Sequence, residues 1–471
     1  VTLLFCALAV AIAALAFDRD SRAPEVPRAV PWVAVAALAL ALAASLVTNE
    51  WVIANAALGQ MPFPAWLRGA SFTPILELEP LYAHTAPGTS LAAEGLAVLD
   101  TLLLGGLAFT LRGVPARAGI LAFAFVCALA SIGLSFFAPG LASSDLYAYA
   151  FYARFGTGAY HSLLVPHDGP LAIVGHLWSF RMVPSAYGPV WLDTVRILAG
   201  GIDRVDVQIL VFRGLSAITL VALLAGLVAL RLPVAFVALV ALDPAIYLQF
   251  VVDGHNDLFG IALLVWARVA ARRGWTIVAV VLAILAGASK ASFLPLAALV
   301  FFDAEPLRRR VVPAACAIAG GIAASLAFGG LAYPHALAAV AAIFPASGEP
   351  GGAVLPRITT FVTIALVIAA VGWRRTGWPG SWAFVSLGSV VFPWYAIWGL
   401  PYATLDPRRA TAFLATFPVT AFVLTTAYAI SGGWAPLIFT IACSSGMLAY
   451  ARWRSPARRL AAPPANASLA G

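Results

Sequence analysis

The stretch Ser143 to Tyr160, SSDLYAYAFYARFGTGAY, sets one carboxylate among tyrosines directly after an apolar segment. Asp145 and Tyr149 stand at i, i+4 spacing, which puts them on one face of an interfacial helix that also carries Tyr147, Tyr152 and Arg154. A carboxylate so placed could accept a proton. Downstream, PSAYGPVW over residues 184–191 brackets Tyr187 with two prolines and a glycine, a turn that re-enters toward the membrane and presents an aromatic ring. In DGHND over residues 253–257, a helix cap by Asn256 or Asp257 accounts for one polar residue. It leaves Asp253, His255 and the other of the pair as binding candidates. Lys290 is the only lysine of the chain, in GASKAS over residues 287–292. A cation at the outer end of a helix needs a partner, and a phosphate or Asp257 would serve. Arg357, also at an outer helix start, is a second phosphate candidate.

These residues must be positioned by a membrane scaffold. A chain of 471 residues that is 62% hydrophobic and 10% charged, with a mean hydropathy of +0.95, has too little polar surface for a water-soluble globule. Long Ala- and Leu-rich runs without ten-residue alternation point to helices rather than a barrel. The expected class is all-α, a polytopic membrane protein of about 13–15 transmembrane helices. Apolar runs predict helices near 1–17, 30–48, 95–111, 118–137, 207–229, 232–251, 257–271, 274–288, 290–303, 311–331, 358–373, 378–392, 394–407, 410–429 and 433–450. Several are shorter than a simple span and are expected to be half-helices or to merge. Asp243-Pro244 reads as a helix break with local hydrogen bonding.

If those helices alternate, 20 of the 28 basic residues fall on one side, which is then cytoplasmic. This requires an outer turn at Pro393-Trp394-Tyr395 between two short helices. All six histidines and the long loops 49–94 and 138–206 then face outward. The N-terminal apolar segment reads as a first helix or a truncated start, not a removable signal. Residues 1–460 read as a single membrane domain, and 461–471 as a disordered tail. Cys6, Cys127, Cys316 and Cys443 sit in predicted helices and suggest neither disulfides nor a metal site. The sequence pI near 9.6 reflects arginines facing an anionic leaflet, and no nucleic-acid motif is seen.

In order, SDLYAYAFYARFGTGAY, PSAYGPVW, DGHND, ASKA and FPWYAIWGLP resemble the polyprenol-phosphate-mannose-dependent α-(1→6)-mannosyltransferases of actinobacteria, within the GT-C glycosyltransferase superfamily, over roughly residues 118–410. The resemblance implies a multi-pass cell-membrane enzyme that moves a sugar, mannose first, from a polyprenyl-phosphate donor to a hydroxyl of an envelope glycan or glycolipid on the extracytoplasmic face, with inversion. Asp145 would be the base, and partial burial would have to raise its pKa from about 3.9 to make it useful. Lys290 and Arg357 would bind the donor phosphate. Asp253, His255, Asn256 and Asp257 would orient sugar hydroxyls or Lys290. Tyr147, Tyr149, Tyr187, Trp394, Tyr395 and Trp398 would line the substrate site. No cofactor is required, and no metal is predicted, although nearby acids leave room for a divalent ion. A multi-pass transporter or flippase remains the alternative, and would place ionisable residues near the midplane.

Overall fold

The computed structural model describes residues 30–58, 87–111, 118–136, 138, 145–161, 184–301, 308–343, 393–405, 413–418 and 420–421. The expected helices at 1–17, 358–373, 378–392 and 433–450, the tail at 461–471 and Arg357 lie outside these residues. So do His84, His167, His176 and much of both long loops.

The protein is an all-helical polytopic membrane protein. In chain order the described helices are α1 (Val30–Leu58), α2 (Pro87–Thr110), α3 (Ala118–Phe136), α4 (Asp145–Phe155), α5 (Pro189–Ala199), α6 (Val205–Ala229), α7 (Val234–Leu242) and α8 (Pro244–Ile246). They continue as α9 (Asp257–Arg272), α10 (Thr276–Ser289), α11 (Phe293–Leu299), α12 (Arg308–Gly329), α13 (Ala332–Ile343) and α14 (Leu400–Ala403). Among them, four are long and apolar enough to cross a membrane. A bent pair, Val234–Leu242 with Pro244–Val252, makes a fifth.

That pair replaces the single expected helix at 232–251 and bends by 51°. Pro244 has no N–H for the preceding turn, and its ring disfavours straight continuation. The Asp243 carboxylate caps the new start by accepting from the Ala245 N–H at 3.0 Å. The Tyr247 hydroxyl donates to the Ala241 carbonyl, which the break exposes. The second half continues as a π-helical turn, Tyr247–Val252, and ends at DGHND.

Other expectations are corrected. The segment expected as a helix at 394–407 is a 3₁₀ turn, Pro393–Gly399, followed by the short α14. It is too short to span, and its aromatic side chains pack inward. The loops expected at 49–94 and 138–206 contain the end of α1, the start of α2, and the helices α4 and α5. A short helix, α13, follows α12 where one segment was expected to end.

α9 and α10 form a hairpin turned at Gly274, whose φ of +79° suits a residue without Cβ. Its turn carries Arg272 and Arg273, and its other end carries DGHND and Lys290. α12 packs beside α10 and repeats this polarity. It starts in arginines and ends at Gly329, against the ring of Tyr160. α6, α3 and the bent pair enclose the apolar core from the far side. Charge is not confined to one face, because Asp100, Arg213 and Arg268 are buried within helices and Asp243 at the break between α7 and α8. Asp100 accepts from Asn49, Asp243 caps a helix start, and Arg213 donates to two backbone carbonyls. Those three are thus engaged with the scaffold itself.

Candidate functional site

Asp145 opens α4 at the end of the bundle opposite the arginine-rich turns. Its Oδ2 atom accepts from the Tyr187 hydroxyl at 2.9 Å and from the Tyr149 hydroxyl at 3.4 Å, and lies 2.9 Å from His255 Nδ1. The Tyr149 contact is the i, i+4 pair read from sequence. Tyr149 oxygen in turn accepts from the Asn256 N–H at 3.2 Å, so α4 and DGHND share one hydrogen-bonded seam.

Two glycines make that convergence geometrically possible. Gly254 takes a φ of +67°, and a Cβ there would meet Leu146 at 2.3 Å. The loop therefore turns in the left-handed region while lying against the first turn of α4. Gly188 donates its N–H to the Ser289 carbonyl at 2.8 Å, and a Cβ on it would stand 2.1 Å from the Ala288 carbonyl oxygen. The turn carrying Tyr187 is thereby seated on the end of α10, beside Lys290. It is further held by Ser185 N–H to the Ala159 carbonyl at 2.8 Å and by the Tyr160 hydroxyl to the Tyr187 carbonyl at 3.1 Å.

Lys290 Nζ reaches Asp257 Oδ1 at 2.7 Å, one of the two partners expected for it. The Trp398 indole N–H donates to the same oxygen. The ammonium lies 4.7 Å from the ring centroid of Tyr395, 5.1 Å from that of Trp398 and 5.8 Å from that of Tyr187. An ammonium so caged keeps favourable contacts on several sides while staying accessible. Trp394 stacks on His255 with centroids 3.7 Å apart, and Tyr395 stacks on Trp398 at 3.9 Å. The 3₁₀ turn thus walls both ion pairs with aromatic faces.

The site holds two carboxylates with nitrogen partners, Asp145 with the His255 imidazole and Asp257 with the Lys290 ammonium, joined through Tyr187. Burial alone would raise the Asp145 pKa. The His255 charge and hydrogen bond, the Tyr187 hydroxyl and the Lys290 charge outweigh it, so the carboxyl lies below its ordinary value. This reverses the expected direction, because the partners His255, Tyr187 and Lys290 could not be placed beside Asp145 from sequence. Burial, followed by the nearby Asp145 charge, pushes the phenols of Tyr149 and Tyr187 well above the usual range. Burial with Asp257 and Asp145 does the same for Tyr395. These phenols stay protonated, and those of Tyr149 and Tyr187 donate to Asp145.

Asp145 keeps 20% of its side-chain surface exposed and Lys290 13%, whereas the side chain of His255 is fully covered. Asp253, Asn256 and Asp257 are buried as well. A ligand entering this conformation meets Asp145 and Lys290 first, with DGHND behind them. The expected helix cap is absent, since neither Asn256 nor Asp257 side chain bonds the opening turn of α9. His255 is buried rather than displayed on a loop, and Tyr147 packs into the cluster behind α4. Among the described residues no three His, Cys, Asp or Glu side chains gather as a metal site would require.

Sequence reasoning missed Arg213, which donates from Nε to the Val252 carbonyl at 3.0 Å and from Nη1 to the Phe136 carbonyl at 3.2 Å. An arginine inside an apolar run was the available signal.

In comparisons with known proteins, the family described as "Alpha-(1->6)-mannopyranosyltransferase, N-terminal domain" matches residues 64–304. No curated protein and no solved structure matches the chain.

Proposed function

The chain belongs to this alpha-(1->6)-mannopyranosyltransferase family, and from that membership we propose that it transfers mannose from a polyprenyl-phosphate donor to a hydroxyl of an envelope glycan or glycolipid, with inversion. The observation that carries the reading is an accessible carboxylate, Asp145, held ionised by His255 and two phenols, with the accessible cation Lys290 flanking the same tyrosine.

In the proposed step an acceptor hydroxyl attacks the anomeric carbon as the bond from that carbon to the phosphate oxygen breaks. The phosphate leaves with the bonding pair, and Asp145 takes the hydroxyl proton. A low-pKa carboxylate suits this order of events. The anomeric centre develops positive charge before the new bond is complete, so the attacking oxygen becomes strongly acidic only as it bonds. Lys290 stabilises the charge growing on the phosphate, in a setting where aromatic walls weaken screening. Asp257 and Trp398 hold Lys290 in place, and Tyr187 stands between Lys290 and Asp145. Asp253 and Asn256 would shape the pocket behind them, and Tyr395 and Trp394 offer ring faces to a sugar or lipid. No resident cofactor is needed, because the donor brings its own leaving group. The arginine-rich helix ends lie opposite this site, which supports an extracytoplasmic site in the cell membrane.

The test is transfer by purified protein in lipid, supplied with polyprenyl-phosphate mannose and a short α-mannan acceptor, comparing wild type with Asp145→Asn. Product from wild type alone supports the reading. Equal product from both removes Asp145 as base, and none from either rejects this donor and acceptor pair.

A further inference from the structure

We infer that Arg213 is a positioning residue for this reaction, tying together the ends of two helices so that His255 meets Asp145; the inference rests on the reading of Asp145 as the base. Arg213 lies in α6, an apolar helix long enough to cross the membrane, and its side chain is fully covered, at 0% exposure. A guanidinium there is costly and calls for compensation. It finds compensation at two helix ends, Val252 closing the π-helical turn and Phe136 closing α3. Helix C-termini leave carbonyls unbonded and carry partial negative charge, so a buried cation shared by two of them satisfies both.

In the sequence the two carbonyls precede the proposed base and its histidine partner. Val252 is three residues before His255, and Phe136 is nine before Asp145. Between them the segments touch directly, through Leu146 against Gly254 and through the 2.9 Å His255–Asp145 contact. Arg213 therefore holds the end of the turn that leads into DGHND, three residues before the histidine that meets the proposed base. The planar fork of arginine bonds two acceptors in fixed directions, which the single ammonium of lysine cannot reproduce. Releasing Val252 would let the loop withdraw from Asp145, leaving burial to dominate that carboxyl.

The experiment compares wild type with Arg213→Lys by transfer kinetics across pH and by hydrogen–deuterium exchange on the intact protein in lipid nanodiscs. In Arg213→Lys, kcat is expected to fall about 100-fold with donor KM within about twofold, as for a displaced base with an intact donor site. The acid limb of the rate should move to higher pH. Exchange should quicken at residues 253–257 and in the first turn of α4, and stay unchanged in α10. Wild-type kcat, or a reduced kcat with an unmoved acid limb and unchanged exchange, overturns the inference. Should wild type and Asp145→Asn transfer equally, the reading of the base fails separately. The exchange comparison then decides alone, with local loosening sustaining the tie and its absence rejecting it. If Arg213→Lys does not accumulate folded, Arg213→Gln, neutral and able to donate to one carbonyl, is read by the same criteria.

Discussion

A single methyl group on Gly188 should separate the two halves of the site. In Gly188→Ala the new Cβ would stand 2.1 Å from the Ala288 carbonyl oxygen and 2.7 Å and 2.8 Å from the carbonyl carbons of Ala288 and Ser289. All three neighbours are backbone, so no side chain can swing aside. Reaching the 3.4 Å of ordinary contact requires the seam to open by about 1.3 Å. The Gly188 N–H to Ser289 carbonyl bond, now 2.8 Å, would then stretch to about 4 Å, outside hydrogen-bond range. Losing it between buried groups costs about 1–3 kcal/mol of stability. Tyr187 is the neighbouring residue and holds Asp145 at 2.9 Å, so the same displacement reaches the proposed base. A shift of this size at a reacting centre corresponds to about a 100-fold loss of kcat. The assay is mannosyl transfer and thermal melting of purified Gly188→Ala in lipid, with Gly105→Ala as the control. A Cβ at Gly105 meets nothing within 4 Å, and alanine inside a helix gains about 0.5–1 kcal/mol over glycine, so the control should transfer normally and melt no lower. Wild-type melting and rate in Gly188→Ala would refute the idea that this seam sets the site.

Asp145→Asn should lower kcat by about 10²–10⁴-fold, the usual contribution of a general base, while donor affinity holds; retained turnover would dismiss the role. Because cations depress the Asp145 pKa, its ionised form persists below the ordinary aspartate range and is lost as pH falls through the depressed value. His255→Gln removes the largest of the lowering influences, so the acid limb of kcat/KM should rise, and an unmoved limb would show that His255 does not govern it. Lys290→Met strands Asp257 without its cation and should cost stability by about 3–5 kcal/mol, as breaking a buried pair does. Adding Asp257→Asn should recover part of that loss in denaturation measurements, and strictly additive losses would mean the pair is uncoupled.

The sequence by itself determined the class of the protein and the cast of the site. Composition excluded a soluble globule, because apolar surface in such excess can be buried only in lipid or against other helices. Asp145 with Tyr149 was legible because i, i+4 spacing is a local property of a helix, and the Asp243-Pro244 break because a missing N–H is a property of one residue. Lys290 stood out as the only lysine, and a phosphate or Asp257 was named as its partner from placement alone. What only the tertiary structure decided was which groups pair across long separations. His255 meets Asp145 over 110 residues, and Trp398 meets Asp257 over 141. Periodicity carries no information about such pairs, since they depend on how helices from distant parts of the chain cross. The direction of the Asp145 pKa followed from that pairing, because burial alone would have raised it. The segment expected as a helix at 394–407 likewise became a 3₁₀ turn whose rings are spent on Lys290 and His255. Tertiary packing there outweighs the local preference of an apolar run.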